Sequence, residues 1–215
     1  MRRSYELLKD HPLNRERQAA GQNAANIVLP RGAGVAPHLK PFHEQHGLTA
    51  ACVVEVGLIR GLARYLGFDV CDAPGSTGSL DTDLDSIART VLSALENHDF
   101  VLCNVKGPDI AGHNGDAPAK VAMIERFDAM FGQLLARLPK ETVVAVLADH
   151  ATPVLTRDHS GDPVPLLLWG PGVLSDGVEA YHERAASRGG LGRFSGLHLA
   201  HVLTNLMNVQ EKFGA

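Results

Sequence analysis

Residues 100–113 read FVLCNVKGPDIAGH: an apolar run from Phe100 to Val105, a Lys-Gly-Pro turn, then Asp109 and His113. The apolar residues are consecutive rather than alternating, which predicts a strand covered on both sheet faces. If a helix opens at Asp109, the spacing of the acid and the histidine places both on one helix face. A second stretch, VVAVLADH at 143–150, repeats the logic, with an apolar strand running into Asp149 and His150. His159 follows in DHSGDP, just before another apolar run.

Outward from these stretches the chain alternates short β-branched runs with longer helical patterns. Strands are predicted at Ala50 to Val54, Phe100 to Val105, Val143 to Leu147 and Pro165 to Trp169, and helices at Val56 to Leu66, Asp83 to Asn97, Ala117 to Arg137 and Leu197 to Met207. The fold class this implies is α/β, a mostly parallel sheet covered by helices on both faces. Polar residues gather directly after two of the strands, at the edge where open α/β sheets bind ligands.

Residues 1–46 read differently: a charged helix-like start, the polar NRERQAAGQNAAN, an apolar IVL and the glycine-rich RGAGVAP. They are expected to be part of a second, inserted domain, with 47–215 as the α/β core.

Of the 215 residues 45% are hydrophobic and 20% charged, the net charge is -4, and the basic residues are scattered. A nucleic-acid partner is therefore not expected. No apolar run reaches the roughly 18 residues of a membrane span, and the opening MRRSYELLKDHP lacks the apolar core of a signal peptide. A cytoplasmic protein without membrane association is the expectation. Cys52, Cys71 and Cys103 are widely spaced, mostly in apolar surroundings, and read as buried reduced thiols.

Asp109, His113, Asp149, His150 and His159 offer oxygen and nitrogen donors without thiolate. That donor set suits Zn²⁺, Mn²⁺ or a similar divalent ion. Five donors exceed what one ion normally takes, and paired ions stabilise the charge that spreads over a transferred phosphoryl group. A single Asp or His at a helix start commonly just caps backbone amides; an ordered series at sheet-edge positions is better explained by metal. His38, His43, His46, His198 and His201 read as solvated or structural.

GPDIAGHNGD, ADHATP and DHSGDPVPLLLWGPGV resemble the metal-site signatures of archaeal-type cofactor-independent phosphoglycerate mutases, of the alkaline phosphatase superfamily. NRERQAAGQNAANIVLPRGAG, LIRGLARYLGFDVCDAPGSTGSLDTD and the tail RGGLGRFSGLHLAHVLTNLMNVQEKFGA extend the resemblance over nearly the whole chain. It implies that this is the carboxy-terminal half of such an enzyme and that residues 1–46 end its substrate cap. Two divalent ions are implied, Mn²⁺ or Zn²⁺, with Mg²⁺ as a third option. Asp109, His113 and His159 would hold one, while Asp149 and His150 would share the other with an Asp and a nucleophilic Ser of the amino-terminal half. The implied substrate is phosphoglycerate, clamped by arginines for which Arg15, Arg31 and Arg60 are the candidates, with Asn14, Asn23 and Asn26 as polar partners.

The sequence also departs from the family pattern. The nucleophile is expected to lie before residue 1, since Ser4 falls in a charged helix-like segment and Ser76 and Ser79 in a Gly-rich loop with no neighbouring base. Arg60 stands where a lysine is expected, Ile110 where an acid is, and Ala151 where a serine is. Three readings stay open: a mutase completed by an amino-terminal-half partner chain, a non-catalytic metal-binding remnant or homo-oligomer, and a metal-dependent phosphatase or phosphonate hydrolase.

Overall fold

The computed structural model describes residues 1–210; the closing EKFGA of the family-like tail lies outside them. The chain divides into two compact units, Met1–His38 and Leu39–Ala215. The first holds α1 (Arg2–Leu8), α2 (Pro12–Ala19) and a following stretch without helix or strand. Asn14 is its buried hub, donating to the carbonyls of Leu8 at 2.7 Å and Ala25 at 3.1 Å and accepting from the Ala25 amide at 2.8 Å. A buried amide must satisfy its donors and acceptor inside the protein. Asn14 thus ties its own unit together, which corrects its reading as a polar substrate partner.

The second unit begins earlier than the boundary at 46 drawn from the sequence. Helix α3 (Phe42–His46) belongs to it because Phe42 packs on Phe68 and Phe100, with ring centroids 5.0 and 5.2 Å away. Next come β1 (Ala50–Val54), α4 (Gly57–Tyr65), β2 (Asp69–Val70), α5 (Leu84–Leu95), β3 (Phe100–Asn104), α6 (Gly107–Asn114) and α7 (Ala117–Leu135). The unit continues through β4 (Val144–Leu147), β5 (Leu166–Trp169), α8 (Glu183–Ala186), a 3₁₀ turn at Gly196–His198 and α9 (Leu199–Leu206). Helix starts follow local chemistry: Asp83 caps α5 by accepting from the Ser86 amide, and Asp116 caps α7 by accepting from Ala119.

Strands β2, β1 and β3 form a parallel sheet in that order. Every residue of β1 is buried, because its alternating side chains enter two different cores. Val53 joins Ile87, Val91, Met123, Met130 and Leu134 of α5 and α7. Ala50, Cys52 and Val54 join Ala63 and Phe68, with Phe42, Ile59 and Phe100 around them.

Coverage is less complete elsewhere than the consecutive apolar runs predict. Helix α4 packs mainly on β1 and β2, and Leu102 on β3 stays 37% exposed. Leu147 and Trp169, at the ends of β4 and β5, are also exposed. Those two strands depart from the parallel expectation by pairing antiparallel. Parallel neighbours need a long crossover, usually a helix. The segment between β4 and β5 instead folds back on itself through an isolated bridge between Ala151 and Ser160.

At the start of β1 and β3, the Asp99 carboxylate accepts from the Thr49 amide at 2.9 Å and its hydroxyl at 2.7 Å. At the opposite edge Glu55 gathers the chain, accepting from the Gly78 amide at 3.0 Å, the Lys106 amide at 3.1 Å and the Thr82 hydroxyl.

All three cysteines are free; Cys52 is buried and the other two half-buried. Loss of hydration pushes the Cys103 thiol up to about 12. No helix among the described residues is long and apolar enough to cross a membrane.

Two outcomes test this packing. Ile87, 1% exposed, fills the centre of the larger core, so Ile87→Ala is expected to cost about 2–5 kcal/mol in urea unfolding. The hydrogen bonds from Thr49 hold the Asp99 carboxyl below its ordinary 3.8. A depressed folded value means the stabilisation is complete above 3.8 and is lost as pH falls through that lower value. The stability gap between the natural chain and Asp99→Asn is expected to close over that acidic range in pH-dependent denaturation.

Candidate metal centre

Only Val105 and Lys106 separate β3 from α6, so the strand end aims the helix directly. The helix starts at Gly107 rather than at Asp109, with Pro108 in its first turn, where a missing N–H costs nothing. Asp109 and His113 still share a face, with Asp109 Oδ1 3.5 Å from His113 Nε2. The helix ends at Gly115, whose φ of 73° is a left-handed conformation that glycine adopts without steric cost.

The second contribution comes from the segment after β4. Ser160 N–H donates to the Ala151 carbonyl at 3.0 Å, folding residues 151–160 back so that His159 returns beside His150. The two rings lie 3.8 Å apart between centroids. This loop approaches α6 closely because Gly112 carries no side chain; a Cβ there would sit 2.5 Å from the Thr152 carbonyl oxygen.

The result is a tight set of donors. His113 Nε2 and His159 Nε2 are 3.2 Å apart, and Asp109 Oδ1 lies 3.5 and 3.6 Å from them. Tetrahedral ligands at about 2.0–2.1 Å from an ion would be separated by about 3.3–3.4 Å. The donor triangle therefore fits a single divalent cation.

Neighbouring groups fix which nitrogens face inward. The Arg157 carbonyl can only accept, so the 2.9 Å contact from His113 Nδ1 assigns that nitrogen the proton and leaves Nε2 with its lone pair. Thr152 does the same for His150. Its hydroxyl donates to Asp109 Oδ1 at 2.5 Å, leaving the oxygen to accept from His150 Nδ1 at 3.2 Å.

Asp109 is the electrostatic centre. Its Oδ2 lies 2.6 Å from Lys106 Nζ, an ion pair rather than a well-aligned hydrogen bond, because that buried oxygen has no hydrogen-bond partner of good geometry. Burial pushes the carboxyl up, but the Lys106 ammonium and the Thr152 hydroxyl outweigh it and hold it below the usual carboxylate value. With Oδ2 turned to the ammonium, Oδ1 faces His113 and His159 and is the carboxylate oxygen that the geometry offers to an ion.

The structure brings Asp109, His113 and His159 together as the family resemblance implies, and it adds His150 to them. Asp109, His150 and His159 each place a donor atom within 4.8 Å of the others. His150 thus stands between two positions, with Nδ1 3.9 Å from Asp109 Oδ1 and Nε2 3.6 Å from Asp149 Oδ2. Asp149 is exposed on the far side. Arg60 is engaged elsewhere, paired with Asp72 at 2.5 Å. Arg15 and Arg31 are exposed residues of the first unit.

Thr152, Lys106, Glu55 and Arg157 escape the sequence reading. Thr152 sits inside ADHATP and could have been found by asking what orients the histidine two residues before it. Arg157 leaves no such trace, because it acts through a backbone carbonyl that any residue carries.

A parallel sheet with Asp and His donors gathered beyond its carboxyl edge is the architecture of a metal-dependent α/β enzyme. Residues 9–206 match the Metalloenzyme superfamily, and the chain belongs to it, with an alkaline phosphatase-like fold. It is 49% identical over 99% of its length to the 2,3-bisphosphoglycerate-independent phosphoglycerate mutase of Methanosphaera stadtmanae, covering 52% of that protein. The match falls on the carboxy-terminal half, and the chain spans about half the length of the curated relatives it matches. A solved protein of Pyrococcus horikoshii superposes with a TM-score of 0.90 at 42% identity, over 98% of this chain and 56% of that one. The cofactor-independent phosphoglycerate mutase of Thermoplasma acidophilum superposes at 0.66 and 31% identity, over 94% and 48%.

Thr152 supplies a direct test. Thr152→Val keeps the shape but leaves a buried carboxylate oxygen and an imidazole N–H short of a partner, a loss of about 1–3 kcal/mol. Chemical denaturation is expected to show that loss, and Thr152→Ser is expected to recover most of it.

Proposed function

We propose that this chain supplies the metal-holding half of a phosphoryl-transfer catalyst that interconverts 3-phosphoglycerate and 2-phosphoglycerate. The observation that carries the reading is the donor triangle, three donor atoms 3.2–3.6 Å apart, with the outer nitrogen of His113 held by the Arg157 carbonyl and the outer oxygen of Asp109 paired with Lys106. Asp109, His113 and His159 would hold one divalent ion. Asp149 and His150 would supply one side of a second. When bound, such ions neutralise the charge that develops on the phosphoryl oxygens. The nitrogen-rich donor set favours Mn²⁺ or Zn²⁺ over Mg²⁺.

Residues of the chain itself account for orientation. Lys106 offsets the Asp109 charge, and Thr152 couples that carboxylate to His150. Arg15, Arg31 and Arg60 are the candidate clamps for the substrate's carboxylate and phosphate. Arg60 would join by exchanging the exposed Asp72 carboxylate for the substrate's, since a guanidinium fork binds either group bidentately. The nucleophilic serine and a further aspartate would come from a polypeptide equivalent to the other half of the relatives, in the same chain or a companion. Supporting this, the second edge of β3 carries no strand among the described residues, and Leu102 on it is exposed.

The test pairs metal titration with turnover. Calorimetric titration with Mn²⁺ or Zn²⁺ is expected to show binding that His113→Ala weakens by more than the roughly 10–100-fold typical of losing an outer-shell partner. Interconversion of the two phosphoglycerates is expected when the amino-terminal half of the Methanosphaera mutase is added, and not with His113→Ala. Metal binding without turnover in that mixture would leave a non-catalytic metal-binding subunit instead. Metal-dependent hydrolysis of a generic phosphate monoester by the chain alone would make it a phosphatase.

A further inference from the structure

Arg157 is the one non-glycine residue near the cluster held in a left-handed backbone conformation, with φ 54°. It closes a helical turn: its amide donates to the Pro153 carbonyl at 3.0 Å, the position where a turn usually ends on glycine or asparagine. Arginine has no intrinsic reason to sit there. The reversal of chain direction turns its carbonyl toward α6, where it accepts from His113 Nδ1 at 2.9 Å.

The guanidinium explains how the conformation is held. It packs against the α-carbon face of Gly115, the left-handed residue that ends α6, so closely that a Cβ there would sit 2.7 Å from Arg157 Cζ and 2.9 Å from a terminal nitrogen. Two left-handed residues, one on each segment, thus interlock: the glycine provides the space and the arginine fills it. His113 is two residues before that glycine, so the clasp and the carbonyl contact fix the same helix end.

We propose that Arg157 is the positioning residue of the metal centre, its side chain clasping Gly115 so that its carbonyl sets the tautomer and direction of His113. The proposal rests on the metal-binding reading above but not on the identity of the substrate. It assigns to the arginine side chain a role in ion affinity although that side chain is not itself a ligand.

The test uses the full chain with Arg157→Ala, which keeps the backbone demand and removes the clasp, and Arg157→Gly, which relieves the backbone demand as well. Mn²⁺ and Zn²⁺ affinities are expected to fall about 10–100-fold in both, as for loss of an outer-shell partner. Arg157→Lys, which keeps a long cationic stem without the planar fork, is expected to lie between these variants and the natural chain. Nitrogen-15 spectra of the metal-free protein are expected to show the His113 Nδ1–H in the natural chain and its loss or exchange broadening in both variants. Circular dichroism melts identify any variant that fails to fold, and the other variant then carries the comparison. Unchanged affinity together with an unchanged His113 signal in a folded variant overturns the proposal. If the natural chain binds no metal, the metal reading fails while the His113 signal still decides the positioning role. If metal binds but no phosphoglycerate is turned over, only the substrate assignment fails.

Discussion

The five residues of β1 pair in parallel with those of β3, from Ala50 beside Phe100 to Val54 beside Asn104, and this register determines where the chemistry lies. It puts Glu55 next to the chain that leaves β3, where the carboxylate takes the Lys106 amide. Lys106 in turn meets Asp109 one helical turn later. A slip of one residue would send every side chain of β3 to the opposite face, moving Cys103 out of the α5–α7 core and turning α6 away from the loop that carries His159. The hydrophobic core therefore does more than stabilise; its two-sided burial of β1 is what sets the direction of the metal-facing helix.

Within the centre, the main difficulty is to hold electron-rich atoms close together. Lone pairs about 3.2 Å apart repel unless a cation or proton lies between them, and three of the four groups are tied from behind. A carbonyl holds His113, a hydroxyl holds His150 and an ammonium holds Asp109. Gly112 and Gly115 act by absence, allowing two segments to approach more closely than any side chain would permit.

Much of this was legible in the sequence. The strands end within a residue of where their apolar runs predict, because such runs have few other ways to be buried. The Asp109–His113 pair was readable from helical spacing even though the helix begins two residues earlier than supposed, since same-face geometry does not depend on the start. Other features left no local trace. β2 is only two residues long. The antiparallel pairing of β4 with β5 depends on a reversal closed between Ala151 and Ser160, separated positions whose pairing no local pattern announces. His150 was assigned to a separate ion with Asp149, yet its ring also reaches Asp109 because Thr152 pulls it inward, a through-space effect that a linear reading does not capture. Asn14 looked like a polar contact for a substrate and is instead a buried joint of the first unit. The domain boundary fell late in the sequence reading because the packing of Phe42 against Phe68 and Phe100 bridges widely separated positions.

The short link between β3 and α6 contrasts with the long return loop after β4, so the two halves of the donor cage reach it by different routes. Asp109 and His113 form a fixed jaw, braced by the strand beneath them. His159 stands on the other, half exposed, on a loop tied to the first through the Thr152 hydroxyl and the Arg157 carbonyl, and to α7 through the Lys120 ammonium. An ion held here would take two ligands from one helix and one from a loop packed against that helix, so its grip would depend on the seam between the two segments as much as on the ligands themselves.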